Sequence, residues 1–248
     1  MAMVFTPEEW NAVASANLTL GDIFDRCDFV SAGIDGGGID DLLSVAVIGR
    51  HGDTRRLSLV TVTWARGEVL SRLGLTGIED PGALIIPAGV DEYPRVAELV
   101  SEAKRRARTF GKAGLSCYIP EALLDAMEDA GLVIEKDCAG IGRLSVRAAV
   151  SSLRRKVALG QIRHDGSPLL GWSIGTTALH DDNNISAPRS AMKTPLMAAL
   201  RAIALVDRNP SRAGLKEDAA QSVLRRLLDE AAGGNVAAVN FLTNALKG

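Results

Sequence analysis

GIDGGGIDD, residues 33–41, lies between two apolar runs that predict two neighbouring β-strands. The first run, Phe29–Ile34, is followed directly by Asp35, and the second run is Leu43–Gly49. The three glycines between the runs allow a tight turn, because glycine tolerates positive φ. The stretch therefore gathers three carboxylates where one strand ends and the next begins.

These three acids, Asp35, Asp40 and Asp41, are candidate catalytic residues and metal ligands. Carboxylate oxygens are the hard ligands that Mg²⁺ and Mn²⁺ prefer. The alternative is a glycine-rich hairpin whose acids are simply solvated. The rest of the chain has to decide between these two interpretations.

The composition favours a globular protein with a substantial core. The chain has 248 residues, of which 47% are hydrophobic and 4% aromatic, and its net charge is −2. A DNA-binding role would therefore depend on a local basic patch. The three cysteines form no Cys-x-x-Cys pair, which favours ordinary thiols in a reducing compartment. The chain shows no signal peptide and no long apolar run, so we expect no membrane contact.

The order of the strands and helices predicts an α/β fold. A third strand, Arg56–Trp64, completes a meander, and the helix Val90–Arg108 follows it. Two further strands, Leu115–Ile119 and Leu132–Ile134, flank the helix Glu121–Ala130. A meander followed by strand, helix and strand predicts a mixed five-stranded sheet in the order 3-2-1-4-5, flanked by helices.

The end of the chain predicts a separate helical extension. Residues 209–215 have the composition of a linker, and two helices follow it, Lys216–Ala232 and Val236–Lys247. We therefore expect a main domain at residues 1–210 and a C-terminal helical hairpin at residues 211–248.

Three segments resemble the nuclease domain in the large terminase subunits of tailed phages, and they occur in that family's order. The segments are DRCDFVSAGIDGGGIDDLLSVAVIGR (25–50), IRHDGSPLLGWSIG (162–175) and KTPLMAALRAIALVDRNP (193–210). The resemblance implies an RNase H-like fold whose first hairpin carries metal-binding acids. At the matching positions these acids are Asp35 and Asp41, and Asp40 is adjacent.

The function implied by this resemblance is that of a metal-dependent endonuclease in phage or prophage DNA packaging. Such a domain would cut double-stranded DNA with two Mg²⁺ or Mn²⁺ ions, in the cytoplasm of an infected or lysogenic bacterial host. The sequence has no Gly-x-x-x-x-Gly-Lys-[Ser/Thr] phosphate loop. A separate packaging ATPase is therefore an implied partner, beside the portal and the terminase small subunit.

Two other places in the sequence lack the acids that the family carries. The end of the fourth strand falls at Ser116 or Cys117, so its ligand would be Glu121 or, under another alignment, Asp137. The third acid position falls on Thr194, which we also expect to cap the late helix. These departures support an alternative function, a catalytically degenerate domain that serves as a DNA-binding or assembly module.

Two basic groups are candidates for contact with DNA phosphates. They are Arg105 and Arg106 near the end of one predicted helix, and Arg154, Arg155 and Lys156 in a later one. The alternative is that both groups are solvated helix faces, with the first also complementing a helix dipole. The sequence leaves both interpretations open.

Overall fold

The structure is a computed structural model that describes residues 2–38, 41–52, 54, 56–76, 83–86 and 91–208. The strands in these ranges are β1 (Ala2–Met3), β2 (Phe29–Gly36), β3 (Leu43–Arg50), β4 (Leu57–Arg66), β5 (Ala83–Ile86), β6 (Phe110–Leu115), β7 (Cys138–Gly140), β8 (Ile162–His164), β9 (Ala178–Leu179) and β10 (Ile185–Ser186). The helices are α1 (Pro7–Asn11), α2 (Leu20–Arg26), α3 (Gly67–Leu73), α4 (Tyr93–Arg106), α5 (Glu121–Asp129), α6 (Ile134–Asp137), α7 (Arg143–Ala158), α8 (Pro168–Thr176) and α9 (Thr194–Arg208).

The main sheet has the strand order β5-β4-β3-β2-β6-β7, with β8 also paired to β4. Strands β2, β3 and β4 form an antiparallel meander, and β6 and β7 run parallel to β2. The predicted order 3-2-1-4-5 is confirmed, because the five predicted strands correspond to β2, β3, β4, β6 and β7. The short strands β5 and β8 extend the sheet beyond β4.

The bounds predicted for the fourth and fifth strands are wrong. The fourth strand, β6, ends at Leu115, where the sequence predicted a start, and residues 134–137 form a helical turn before β7. Gly111 and Gly114 weaken the strand pattern of β6. Both glycines allow neighbours to approach closely, since an added Cβ would crowd the Phe29 ring at the first and Ile141 at the second.

Helices cover both faces of the sheet. On β3, Ala46 and Ile48 belong to a buried cluster with residues of α7, α8 and α9. Val45 and Val47 point to the other face and belong to a cluster with residues of α2, α4 and α5. Alternate side chains of a strand point to opposite faces, so this double burial gives a three-layer α/β/α arrangement.

Helix α9 lies directly on β2, and this contact positions the candidate site. A Cβ added at Gly33 of β2 would overlap the carbonyl oxygen of Ala198 and the amide nitrogen of Ala202 in α9. Only glycine allows so close an approach of a helix backbone to a strand. The contact brings the side chains of α9 beside the carboxyl end of β2.

Thr194 is not the N-cap of α9, contrary to the sequence prediction. Its φ of −57° and ψ of −48° are helical, whereas an N-cap residue has an extended backbone. A 3₁₀ turn, Ser190–Lys193, leads directly into the helix. The hydroxyl of Thr194 donates to the carboxylate of Asp41, outside α9.

The predicted C-terminal hairpin, residues 211–248, lies outside the described residues, so this domain boundary stays a prediction. In the part of the chain that the structure describes, no helix is both long and apolar enough to cross a membrane.

Candidate functional site

The turn between β2 and β3 brings two acids to the same end of the sheet. Gly36 and Gly37 have φ of +91° and +99°, which is the left-handed region that favours glycine. A Cβ at Gly36 would overlap the carbonyl oxygen of Leu42, so the turn is also closely packed. Asp35 is the penultimate residue of β2, and Asp41 lies two residues before the start of β3.

Asp35 is held in a buried ion pair with Arg201 of α9. The Nε and Nη2 atoms of Arg201 donate to Oδ1 of Asp35 at 3.0 and 2.6 Å. The side chains of Arg201 and Asp35 are only 6% and 13% exposed. Burial raises the pKa of Asp35, and the guanidinium beside it opposes that shift.

Arg201 is fixed in place from several sides. Its third nitrogen, Nη1, donates to the carbonyl oxygen of Ile141 at 2.7 Å. Its Cβ packs against two strands at positions without side chains, since a Cβ added at Gly33 or Gly114 would lie 3.0 or 3.2 Å from it. The guanidinium is therefore preorganised on Asp35.

One oxygen of Asp41 accepts hydrogen bonds from two internal donors. The hydroxyl of Thr194 and the backbone N–H of Leu42 both donate to its Oδ1, each at 2.9 Å. Burial raises the pKa of Asp41, while these two hydrogen bonds and the nearby Lys193 lower it. Thr194 thus stands at the site, as its family position predicted, and it supplies a hydroxyl donor.

Both acids line a cavity of about 630 Å³ at the carboxyl ends of β2 and β6. Its described lining contains two carboxylates and four basic side chains: Asp35, Asp41, Arg143, Arg147, Lys193 and Arg201. Arg147 pairs with Asp182 at 3.2 Å, and Arg201 pairs with Asp35. Across the described residues, Arg143 and Lys193 form no ion pair, and Lys193 lowers the pKa of both Asp35 and Asp41 from nearby. The cavity lining carries more basic than acidic side chains.

One solved structure identifies the fold. The crystal structure of the bacteriophage HK97 large terminase superposes with a TM-score of 0.64 and 13% sequence identity, covering 82% of this chain and 43% of that one. The chain has the terminase nuclease fold. It spans less than half of the HK97 protein, and no protein-family model and no curated protein matches the sequence.

Two further structures are similar at lower scores. The large terminase nuclease domain of bacteriophage SPP1, solved with bound Mn, gives a TM-score of 0.46 at 14% identity, covering 76% of this chain and 93% of that one. The human cytomegalovirus terminase nuclease domain, soaked with Mn, gives 0.45 at 10% identity, covering 81% and 92%. The fold is therefore assigned from the HK97 likeness.

Of the acids predicted beyond Asp35 and Asp41, none joins the cavity in the described residues. Asp40 lies outside them. Glu121 is exposed at the start of α5 and does not line the cavity. Asp137 precedes β7, so it lies at the amino end of a strand parallel to β2, opposite to Asp35. Its carboxylate is bound by Lys104 at 2.6 Å and by the N–H of Val133 at 2.8 Å.

The end of the fourth strand carries no carboxylate in this terminase nuclease fold. Strand β6 ends at Leu115, and Ser116 and Cys117 follow it into the cavity lining. The two positions that the family count predicted therefore hold a hydroxyl and a thiol, and their role as the fourth-strand position of the site stays a prediction. Asp137 as its replacement is wrong, since it lies at the opposite end of the sheet.

The predicted basic groups lie away from the cavity. Arg105 and Arg106 end α4, at the amino end of β6, where Arg106 pairs with Asp25 and Glu102. Arg154 and Arg155 are exposed, and Lys156 pairs with Asp207 at 2.7 Å. Arg154, Arg155 and Lys156 lie about three helical turns along α7 from Arg143, so they are separated from the cavity.

The sequence analysis missed all four basic residues of the cavity. Arg201 stands seven residues after Thr194, which is two helical turns on one face, within an otherwise apolar stretch. Arg143 and Arg147 are spaced by four residues and so share one face of α7. The arginine within the apolar stretch of α9 was the one feature of the sequence that pointed to a basic residue in the cavity.

The described residues do not fit a two-metal site. Within the described ranges, no three or more His, Cys, Asp or Glu side chains form a group that could hold a metal ion. A guanidinium occupies Asp35, and a hydroxyl donor occupies Asp41. The excess of basic side chains also repels a divalent cation.

Proposed function

We propose that this domain is a non-cleaving DNA-binding module of the terminase type, which holds the phosphate backbone of double-stranded DNA at the basic cavity. One observation carries the proposal: among the residues that the structure describes, Arg143 and Lys193 form no ion pair at a cavity whose two acids already accept internal hydrogen bonds. The negatively charged phosphates of DNA would bind such a basic surface.

The charges at the cavity explain why phosphate, and not metal, is the expected partner. Arginine presents several N–H donors that match phosphate geometry, and a concave basic surface concentrates positive potential. Asp35 and Asp41 repel phosphate less than isolated carboxylates would, because the positive charges of Arg201 and Lys193 lie close to them. A DNA strand can therefore approach without a divalent ion between the acids and the phosphate.

A second candidate function is the metal-dependent endonuclease of the family. It is favoured by Asp35 and Asp41, which line one cavity, and by related terminase nucleases that were solved with bound Mn or Mg. A two-ion mechanism needs carboxylates from at least three places. The described residues supply them from the β2–β3 hairpin only, so we prefer the non-cleaving function.

The biological setting that we propose is DNA packaging in a phage-infected or lysogenic bacterium. The chain corresponds to a part of the HK97 large terminase, which is more than twice as long as the matched region. The remaining packaging functions would then come from other proteins. The portal, the terminase small subunit and a separate packaging ATPase are the partners that we propose.

DNA binding in EDTA tests this proposal. The affinity for a labelled 20-base-pair duplex is measured by fluorescence anisotropy over a range of salt concentrations. Each phosphate contact contributes a log–log slope of about −0.9. The variant with Arg143→Ala and Lys193→Ala should therefore bind more weakly and should lose up to about 1.8 of slope.

The matched control carries Arg154→Ala and Arg155→Ala, which remove the same charge from exposed positions on α7. We expect a smaller change in slope for this control. An unchanged slope in the Arg143 and Lys193 variant, or no binding by the natural protein, would reject the cavity as the DNA site. A change confined to the control would move the DNA contact to the predicted group at Arg154, Arg155 and Lys156.

A further inference from the structure

We infer that the guanidinium of Arg201 is a built-in counter-ion which replaces a divalent metal ion on Asp35. The site would then have its cation supplied by α9, and it would be independent of Mg²⁺ and Mn²⁺. The inference concerns the cavity discussed above and rests on the proposed non-cleaving function. Metal binding and DNA binding are nevertheless measured separately, so that either can fail alone.

The first support is the competition for one oxygen atom. Two N–H groups of Arg201 donate to Oδ1 of Asp35, at 3.0 and 2.6 Å. A carboxylate oxygen has about two lone-pair sites, so these bonds use the acceptor capacity of Oδ1, one of the two oxygens of Asp35. A divalent ion would also sit beside a fixed positive charge that cannot lose its proton.

The second support is that Arg201 cannot easily move aside. Its side chain is 6% exposed, and its remaining nitrogen is bonded to the carbonyl of Ile141 at 2.7 Å. The backbone of α9 packs directly against β2 at Gly33, where there is no room for a side chain. Swinging the guanidinium out would leave Asp35 and the Ile141 carbonyl without their donors, and buried unpaired groups are unfavourable.

The third support comes from the other acid. The hydroxyl of Thr194 donates to Asp41 at 2.9 Å, so the second carboxylate also has an internal partner. Thr194→Asp would place a further acid beside Asp41 but would leave Arg201 on Asp35. A metal site should therefore require both changes, Thr194→Asp and Arg201→Met.

The test is Mn²⁺ binding, measured by isothermal calorimetry and by the electron paramagnetic resonance signal of free Mn²⁺. The proteins are the natural chain, Thr194→Asp, and Thr194→Asp combined with Arg201→Met. Changes in the immediate partners of a ligating side chain alter metal affinity on the order of 10–100-fold. We expect the double variant to bind Mn²⁺ at least about tenfold more tightly than either other protein.

The matched control combines Thr194→Asp with Arg201→Lys, which keeps the positive charge and should not gain Mn²⁺ affinity. Equal Mn²⁺ affinity of Thr194→Asp and the methionine double variant would overturn the inference. If the methionine variant does not fold, Mn²⁺ binding by the natural chain still tests the inference. Its Mn²⁺ binding should be weak and unaffected by Asp35→Asn, and tight binding that Asp35→Asn abolishes would refute the inference.

A parallel DNA-binding assay in EDTA separates the two proposals. The inference predicts that the natural protein binds the duplex equally well with EDTA and with Mn²⁺. Tight Mn²⁺ binding by the natural protein, with DNA binding intact, would reject the counter-ion role alone. Absent DNA binding, with Mn²⁺ affinities as predicted, would reject the proposed function and leave the role of Arg201 standing.

Discussion

Replacing Arg201 by methionine tests how strongly the buried ion pair stabilises the fold. Methionine keeps the unbranched stem and a good helix propensity, so the change removes mainly the guanidinium. The side chains of Arg201 and Asp35 are 6% and 13% exposed, which leaves little solvent screening. Removing one partner of a buried pair costs about 3–5 kcal/mol, and we expect that loss in the free energy of unfolding at pH 7.

Arg201→Met should also change how the free energy of unfolding depends on pH. Burial raises the pKa of Asp35, and Arg201→Met removes the cation that opposes this shift. Between the unfolded pKa, about 3.9, and the raised folded pKa, the folded variant binds more protons than the unfolded chain. Its stability should therefore increase as the pH falls through this window, and decrease as the pH rises through it.

Urea unfolding followed by tryptophan fluorescence measures both effects. The control adds Asp35→Asn to Arg201→Met, and it should recover part of the loss and remove the added pH dependence. A loss of less than about 1 kcal/mol at pH 7, or a stability that decreases on acidification within this window, would refute the account of a buried, essential pair.

Three other predictions concern the packing and the buried titratable groups. Gly33→Ala should lower the free energy of unfolding by about 1–3 kcal/mol, because a Cβ would overlap the α9 backbone; Gly140→Ala, with open space around it, should be nearly neutral. Burial lowers the pKa of His164, so the folded state binds fewer protons, and stability should fall as the pH drops below about 6.5. His164→Gln should remove that dependence in urea titrations, and an unchanged dependence would mean that another group causes it. Burial raises the pKa of Cys27 to about 12, so a thiol reagent should label the exposed Cys117 quickly and Cys27 only on unfolding; equal rates would contradict this.

The first hairpin was predictable because local signals agree. Phe29–Gly36 and Leu43–Arg50 are strands buried over all but the last two residues of the first, and the glycines after Asp35 allow a tight turn. The strand order followed from the meander and the later helices. Strand β6 was misplaced because Gly111 and Gly114 serve contacts between distant segments, which no local pattern records.

The candidate site was only partly predictable for a similar reason. Asp35, Asp41 and Thr194 follow from the hairpin and from the resemblance to the family, and the structure brings all three together. The role of Arg201 depends on how closely α9 lies on β2, which is a tertiary property. Asp137 was an equally plausible ligand from the sequence, yet it directly precedes β7 and therefore lies at the other end of the sheet.

Plasmid cleavage in Mn²⁺ tests the central claim most directly. The natural protein, at concentrations that shift the plasmid in a gel, is compared with its Asp35→Asn variant over several hours. We predict that the plasmid stays supercoiled with both proteins, because the described cavity holds its own cation and lacks a third carboxylate. Nicking or linearisation by the natural protein that Asp35→Asn abolishes would show that the site is a working nuclease centre, and it would contradict the account.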